Sequence, residues 1–166
     1  ELSERCDFPW PLSNTVNGEG KFLVFVWDYV VRDYRGYKIG SFGLAGTEYT
    51  FNLLFLYSDW PSNCQNIPRE TQITDPVEVA RRVFSTLRRT EHADLVIAVT
   101  HVRLEEDIAT SEACHDEVDP ILGGHDHDIM VHGGRVTLVN GDAESSIRIA
   151  KSGTDFRSYG VVQLAV

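Results

Sequence analysis

From Asp94 to Thr100 the chain runs Asp-Leu-Val-Ile-Ala-Val-Thr, an almost unbroken apolar stretch that ends on His101. Such a run predicts a strand buried on both faces, as in a helix-covered parallel sheet. A shorter run, Val118-Asp119-Pro120-Ile121-Leu122, predicts a second strand, ending on Gly123-Gly124 and then His125-Asp126-His127-Asp128. The gap between them is long enough for a crossover helix, expected from about Leu104 to Cys114. Before both comes the clearest helix signal, over 75–91. Asp75 is a capping residue, Pro76 occupies the first helical position and Glu78 completes a box-like pattern. Ala80, Val83, Phe84 and Leu87 recur at helical spacing and predict the buried face. Arg81, Arg82, Arg88 and Arg89 fall on or beside the polar side, read as a solvated face rather than a phosphate site, with the last two suited to a helix C-terminus.

The flanks are less regular. Leu2–Arg5 reads as the tail of a helix. Phe8-Pro9-Trp10-Pro11-Leu12 is extended, because its prolines forbid helix and push their predecessors to β or polyproline geometry. Ser13-Asn14 and Asn17-Gly18 are turn chemistry. Phe22 to Val31 is β-branched and aromatic and predicts a strand. A turn over 33–37 then leads into a strand over 38–44. Phe51–Tyr57 reads as a buried strand or short helix, or as an insertion that packs poorly. Asp59–Cys64 reads as a loop. Short strands are expected near 129–132 and 135–139, joined at Gly133-Gly134, with further strands over 147–152 and 159–166. The order is a βαβ-type core followed by an antiparallel tail, in one domain over residues 1–166, without repeats.

At 166 residues and 18.7 kDa, with 42% hydrophobic and 24% charged residues, the chain can bury a core. Its formal net charge of −10 argues against a surface built to wrap nucleic acid, which needs basic stripes. A small phosphate substrate stays admissible, because a divalent cation can supply local positive charge. Cys6, Cys64 and Cys114 are too few for a disulfide framework and fit a reduced protein, though one disulfide with a free thiol stays open; the compartment is left unknown, the cytoplasm weakly favoured. No run approaches the length of a membrane span, and no signal peptide is visible. The first residue is Glu1 and the one methionine is Met130, which leads us to expect a fragment, a processed product or a trimmed chain.

The candidate chemistry lies in the histidines. Ligands in open α/β sheets bind beyond the carboxyl ends of strands, where His101 and the pair His125/His127 are expected. Glycines allow a tight turn and close approach, so His125 and His127 can both face one cleft, with Asp126 directed elsewhere or onto a ring nitrogen. Imidazole nitrogens suit Zn, Mn, Fe or Ni rather than Ca. His92, His115 and His132 are read as non-ligands.

The stretches DLVIAVTH, VDPILGGHDH and KSGTDFR, with CDFPWPLSN and KIGSFGLAG earlier in the same order, resemble the calcineurin-like metallophosphoesterases, closest to their 5'-nucleotidase branch. The resemblance implies an αββα-sandwich α/β domain with a mixed sheet, incomplete at its N-terminus. It implies His101 and His125 on one metal of a pair and His127 on the other, with a bridging hydroxide attacking phosphorus in line between ions about 3.5–4 Å apart. The implied substrate is a small phosphate ester of nucleotide type, a monoester or a cyclic diester; no membrane or nucleic-acid partner is implied.

The departures are as informative. The family's Asp-x-His, Gly-Asp and Gly-Asn-His elements, expected ahead of these motifs, do not occur there, so neither the bridging carboxylate nor a catalytic histidine is assigned. Three imidazoles alone could hold a single zinc with water in the open position. The expectation is therefore a phosphoesterase whose dinuclear site is half encoded here, weakly active or inactive in isolation. The alternatives are a non-catalytic metal-binding or interaction module on the same scaffold and, disfavoured by the acidity, a nuclease.

Overall fold

The computed structural model describes residues 2–47, 70–114, 119–133, 136–139 and 148–164. The stretches Phe51–Tyr57 and Asp59–Cys64, and His115, lie outside them. The two helices expected in the middle of the chain are α2 (Pro76–Arg89) and α3 (Leu104–Ala113), after a short α1 (Leu2–Arg5). The strands are β1 (Thr15–Val16), β2 (Val30–Tyr34), β3 (Tyr37–Ala45), β4 (Gln72–Ile73), β5 (Leu95–His101), β6 (Ile121–Gly123), β7 (Ile129–Gly133), β8 (Val136–Val139) and β9 (Ile149–Ser152). Among the described residues, seven form one mixed sheet in the order β2-β3-β5-β6-β9-β7-β8, and β1 pairs β4 apart from it.

The architecture is α/β. Strands β3, β5, β6 and β9 run parallel, with β2 and the β7–β8 hairpin antiparallel at the two sides. β5 and β6 are central neighbours, with Thr100 opposite Gly123. β9 is thus a correction to the all-antiparallel tail: it closes on β6 in parallel after the β7–β8 excursion.

Helix α2 forms where its cap and apolar spacing predict. The Asp75 carboxylate accepts from the amides of Val77 (2.8 Å) and Glu78 (3.0 Å). Its buried face is Ala80, Val83, Phe84 and Leu87, all without solvent exposure. Phe84 meets Phe42 of β3 edge to face at 4.8 Å. Gly40 lets the helix seat closely, because a Cβ there would stand 2.8 Å from the Leu87 side chain. The arginines are not simply solvated. Arg82 makes a two-pronged ion pair with Asp28 (2.6 and 2.7 Å), and Arg88 bonds Asp119 (2.7 Å) and the carbonyls of Ala93 and Asp94.

Helices α2 and α3 cover one face of the sheet, where Phe42, Leu44, Val96, Ala98, Ile121 and Ile149 pack. Among the described residues no helix covers the other face: the Pro11–Leu12 backbone closes over it at Gly43, and it is open at Val99 and Leu122. The expectation that β5 is buried on both faces is therefore corrected: its side chains alternate, and Val99 is 48% exposed beside exposed Leu122.

Two further expectations fail. Phe22–Tyr29 is not a strand; it loops outward, with Phe25 in the left-handed region (φ 64°) and Trp27 61% exposed. The strand begins only at Val30, where β3 offers a partner and the turn Arg35-Gly36 (φ 52° and 88°) closes the hairpin. Residues 159–164 are likewise irregular, with Tyr159 87% exposed. β-Branched and aromatic composition supplies no ladder by itself; a neighbouring strand must satisfy the backbone.

Candidate metal centre

Parallel pairing brings the carboxyl ends of β5 and β6 side by side. The ladder continues one step past β6, where the Gly124 amide donates to the Thr100 carbonyl at 2.8 Å. His101 closes β5, and His125 follows the two glycines. Their rings stand 5.4 Å apart, centre to centre, at a tilt of 57°. Gly124 makes the approach feasible, since a Cβ there would lie 3.0 Å from His101 Nδ1. The chain then doubles back, the Asp126 amide donating to the Gly124 carbonyl (3.0 Å). His125 takes a left-handed backbone angle, φ 76°, a conformation that costs a non-glycine residue about 1–3 kcal/mol.

The separation of the rings fits a shared ion. Tetrahedral binding through one nitrogen of each ring at about 2.1 Å puts the ring centres roughly 5.2 Å apart. The electrostatics agree with a neutral, lone-pair-bearing imidazole: burial pushes the His101 pKa down, helped by His125, Lys151 and His127 and opposed by Asp126. His127 and Asp128 are exposed, with His127 still near enough to act on the charge of His101. Among the described residues, no three His, Cys, Asp or Glu side chains converge closely enough to hold a metal ion. The structure thus brings His101 and His125 together and leaves His127 as a neighbour. His132 is buried in β7 and His92 is an exposed left-handed residue after α2 (φ 56°).

Asp126 points at a group that sequence reasoning missed. The Lys151 side chain of β9 is fully buried, and its ammonium lies 2.8 Å from Asp126 Oδ2 and 2.7 Å from Asp107 Oδ2 of α3. It donates to the carbonyls of Val102 and Gly124, both at 2.8 Å. Asp107 Oδ1 accepts from the Thr100 hydroxyl at 2.7 Å. Burial pushes the Asp107 carboxyl up against the pull of Lys151 and Thr100. Burial also opposes the Asp126 carboxylate, but Lys151 and His125 outweigh it and hold its pKa below the usual value. The signal in the sequence was strand alternation: Ile149 and Lys151 share the parity that faces the helices.

No protein-family model matches the chain. An apyrase of Tabanus yao is 32% identical to it over 103 residues, 61% of this chain and 16% of the apyrase. Among solved structures, one described as a 5'-nucleotidase of Staphylococcus aureus, in complex with alpha-ketoglutarate, matches with a TM-score of 0.63 and 14% identity, covering 91% of this chain and 28% of the other. A sulfate thiohydrolase from Thermus thermophilus matches at 0.61 and 17% identity, over 90% of this chain and 23% of the other. The NAD nucleotidase of Haemophilus influenzae matches at 0.56 and 18%, over 80% and 21%. The chain spans less than a third of the length of each of these proteins. With two strand-end histidines side by side on a mixed sheet, the chain has the fold of these solved structures, the fold that its resemblance to the calcineurin-like metallophosphoesterases implies.

Proposed function

We propose that this chain forms part of a metal-dependent hydrolase of phosphate esters, acting on nucleotide-type substrates, with His101, His125 and His127 as its contribution to the metal site. The observation that carries the reading is the His101–His125 pair at adjacent strand ends, 5.4 Å apart, with the His101 pKa lowered first by burial. Imidazoles favour Zn, Mn, Fe or Ni. A bound divalent ion would polarise a phosphoryl oxygen and offset its charge, which a chain of net charge −10 needs at this site. His101 and His125 would present ring nitrogens to the ion, and His127 would reach it from the turn. Asp126, drawn to Lys151, keeps its carboxylate under the turn and so holds His125 in its strained angle. The nucleotide-type substrate is supported by what the apyrase and the NAD nucleotidase are named for, and the first structural match is likewise described as a 5'-nucleotidase.

A second reading, a metal-binding module without turnover, is favoured by the lack of three convergent ligands among the described residues. Hydrolysis of nucleoside mono-, di- and triphosphates with Mn²⁺ or Zn²⁺ separates the two. The hydrolase reading expects phosphate release that chelation abolishes and that His101→Ala and His125→Ala remove. Metal binding without release supports the module, and no metal binding refutes both.

A further inference from the structure

The buried ammonium of Lys151 touches neighbours of both histidines. Val102, whose carbonyl it bonds, follows His101. Gly124, whose carbonyl it also bonds, precedes His125, and Asp126, whose carboxylate it meets, follows it. The residue before His101, Thr100, reaches the same centre through Asp107, which accepts its hydroxyl and lies 2.7 Å from the ammonium. Every residue flanking the two histidines is therefore tied to one cation, directly or through one carboxylate.

Three protons face four oxygens here. Two go to the carbonyls, and Asp107 Oδ2 and Asp126 Oδ2 stand within ion-pair distance of the same nitrogen. Burying such a group is an inefficient route to stability, because desolvation offsets most of the attraction and apolar residues of similar volume often do as well. What the arrangement does supply is geometry. It joins three separate elements, β9, α3 and the turn after β6, and it loads the turn that holds His125 at φ 76°. A Cβ at Gly123 would stand 2.7 Å from Asp107 Oδ2 and 3.1 Å from the Lys151 stem, so the backbone closes directly over the pair.

We infer that Lys151 is a positioning residue: its ammonium sets the spacing and orientation of His101 and His125 as a pair, and so prepares the metal site. The consequence for metal affinity rests on the functional reading above; the consequence for ring geometry does not.

The test replaces the buried pair by apolar groups of similar size, Lys151→Met with Asp107→Leu, in the full 166-residue chain. Three quantities are read: thermal melting, the nuclear Overhauser contact between the His101 and His125 rings without metal, and Zn²⁺ affinity by titration. The expected result is a variant that still folds, with loss of the ring contact and affinity about 10–100-fold weaker. A folded double variant that keeps the ring contact overturns the inference, whatever its affinity. Asp126→Ala cuts only the turn and leaves Lys151 paired with Asp107, so it decides the matter if the double variant does not fold. It is expected to melt as wild type and to lose the ring contact; retention of that contact overturns the inference. Should the wild-type chain bind no Zn²⁺, the functional reading fails while the ring contact still decides the role of Lys151.

Discussion

Gly124→Ala separates the site from the fold. The added methyl carbon would lie 3.0 Å from His101 Nδ1, with the Thr100 carbonyl next at 3.6 Å. Comfortable contact needs about 3.5 Å, so the ring must retreat by roughly 0.5 Å. The ring is free to do so, because it stands on the open face of the sheet at the exposed end of β5. Gly124 has no left-handed backbone angle, so alanine is tolerated there and the unfolded chain loses freedom. Stability should stay level or rise by about 0.4–1 kcal/mol. Metal binding responds differently, because ligand distances hold only to about ±0.2 Å. Displacement by more than twice that tolerance should weaken binding about 10–100-fold, or about 1.4–2.7 kcal/mol. The assay is a paired one, thermal melting without metal and Zn²⁺ titration on the same preparation. Undiminished affinity in a normally folded variant would refute the placement of His101 in the site.

The strain at His125 gives a complementary result: His125→Gly should be more stable than His125→Ala by about 1 kcal/mol in urea unfolding, because only glycine accepts φ 76° at no cost, and both should lose metal. In the core, Phe84→Ala removes the edge-to-face partner of Phe42 and should cost about 3–5 kcal/mol, enough to leave the chain partly unfolded at 37 °C by circular dichroism. On the helix edge, the Tyr29 hydroxyl donates to Glu91 at 2.9 Å, and this bond, then burial and the nearby carboxylates, raises its pKa above 10.0 against the pull of Arg82. A raised folded value means that the contribution is fully present below pH 10 and is lost as pH climbs through the folded value. Ultraviolet titration should therefore show late phenolate formation that disappears in Tyr29→Phe.

The elements readable in advance were those whose local signals agree with their surroundings. Asp75, Pro76 and the Ala80-Val83-Phe84-Leu87 spacing specify α2, and the helix packs as its pattern requires. Strand β5 was legible as a strand but not as a half-buried one, because an apolar run looks the same whether one face or two are covered, and Val99 stands open. The aromatic stretch before Val30 and the tail after Gly160 misled for a related reason: β propensity reports a side chain that suits a sheet, yet Phe22 and Trp27 make only isolated bridges, to Val16 and Pro11, and no ladder forms along either segment among the described residues. In the site, His101 and His125 were legible because one closes a strand, the other lies just past the end of a strand, and the two strands pair in parallel. Lys151 and Asp107 were not, because charged residues read as solvent-facing, and only the assembled fold shows that each neutralises the other in the interior.

The central claim is that His101 and His125 hold a divalent ion, and metal content after dialysis tests it most directly. The purified chain and its His101→Ala and His125→Ala variants would be loaded with Zn²⁺, dialysed against metal-free buffer, and measured by elemental analysis beside a circular dichroism check of folding. The expected result is about one retained ion per wild-type chain and almost none in either folded variant. Zinc absent from the wild type, or retained by the folded variants as well as by the wild type, would contradict the claim.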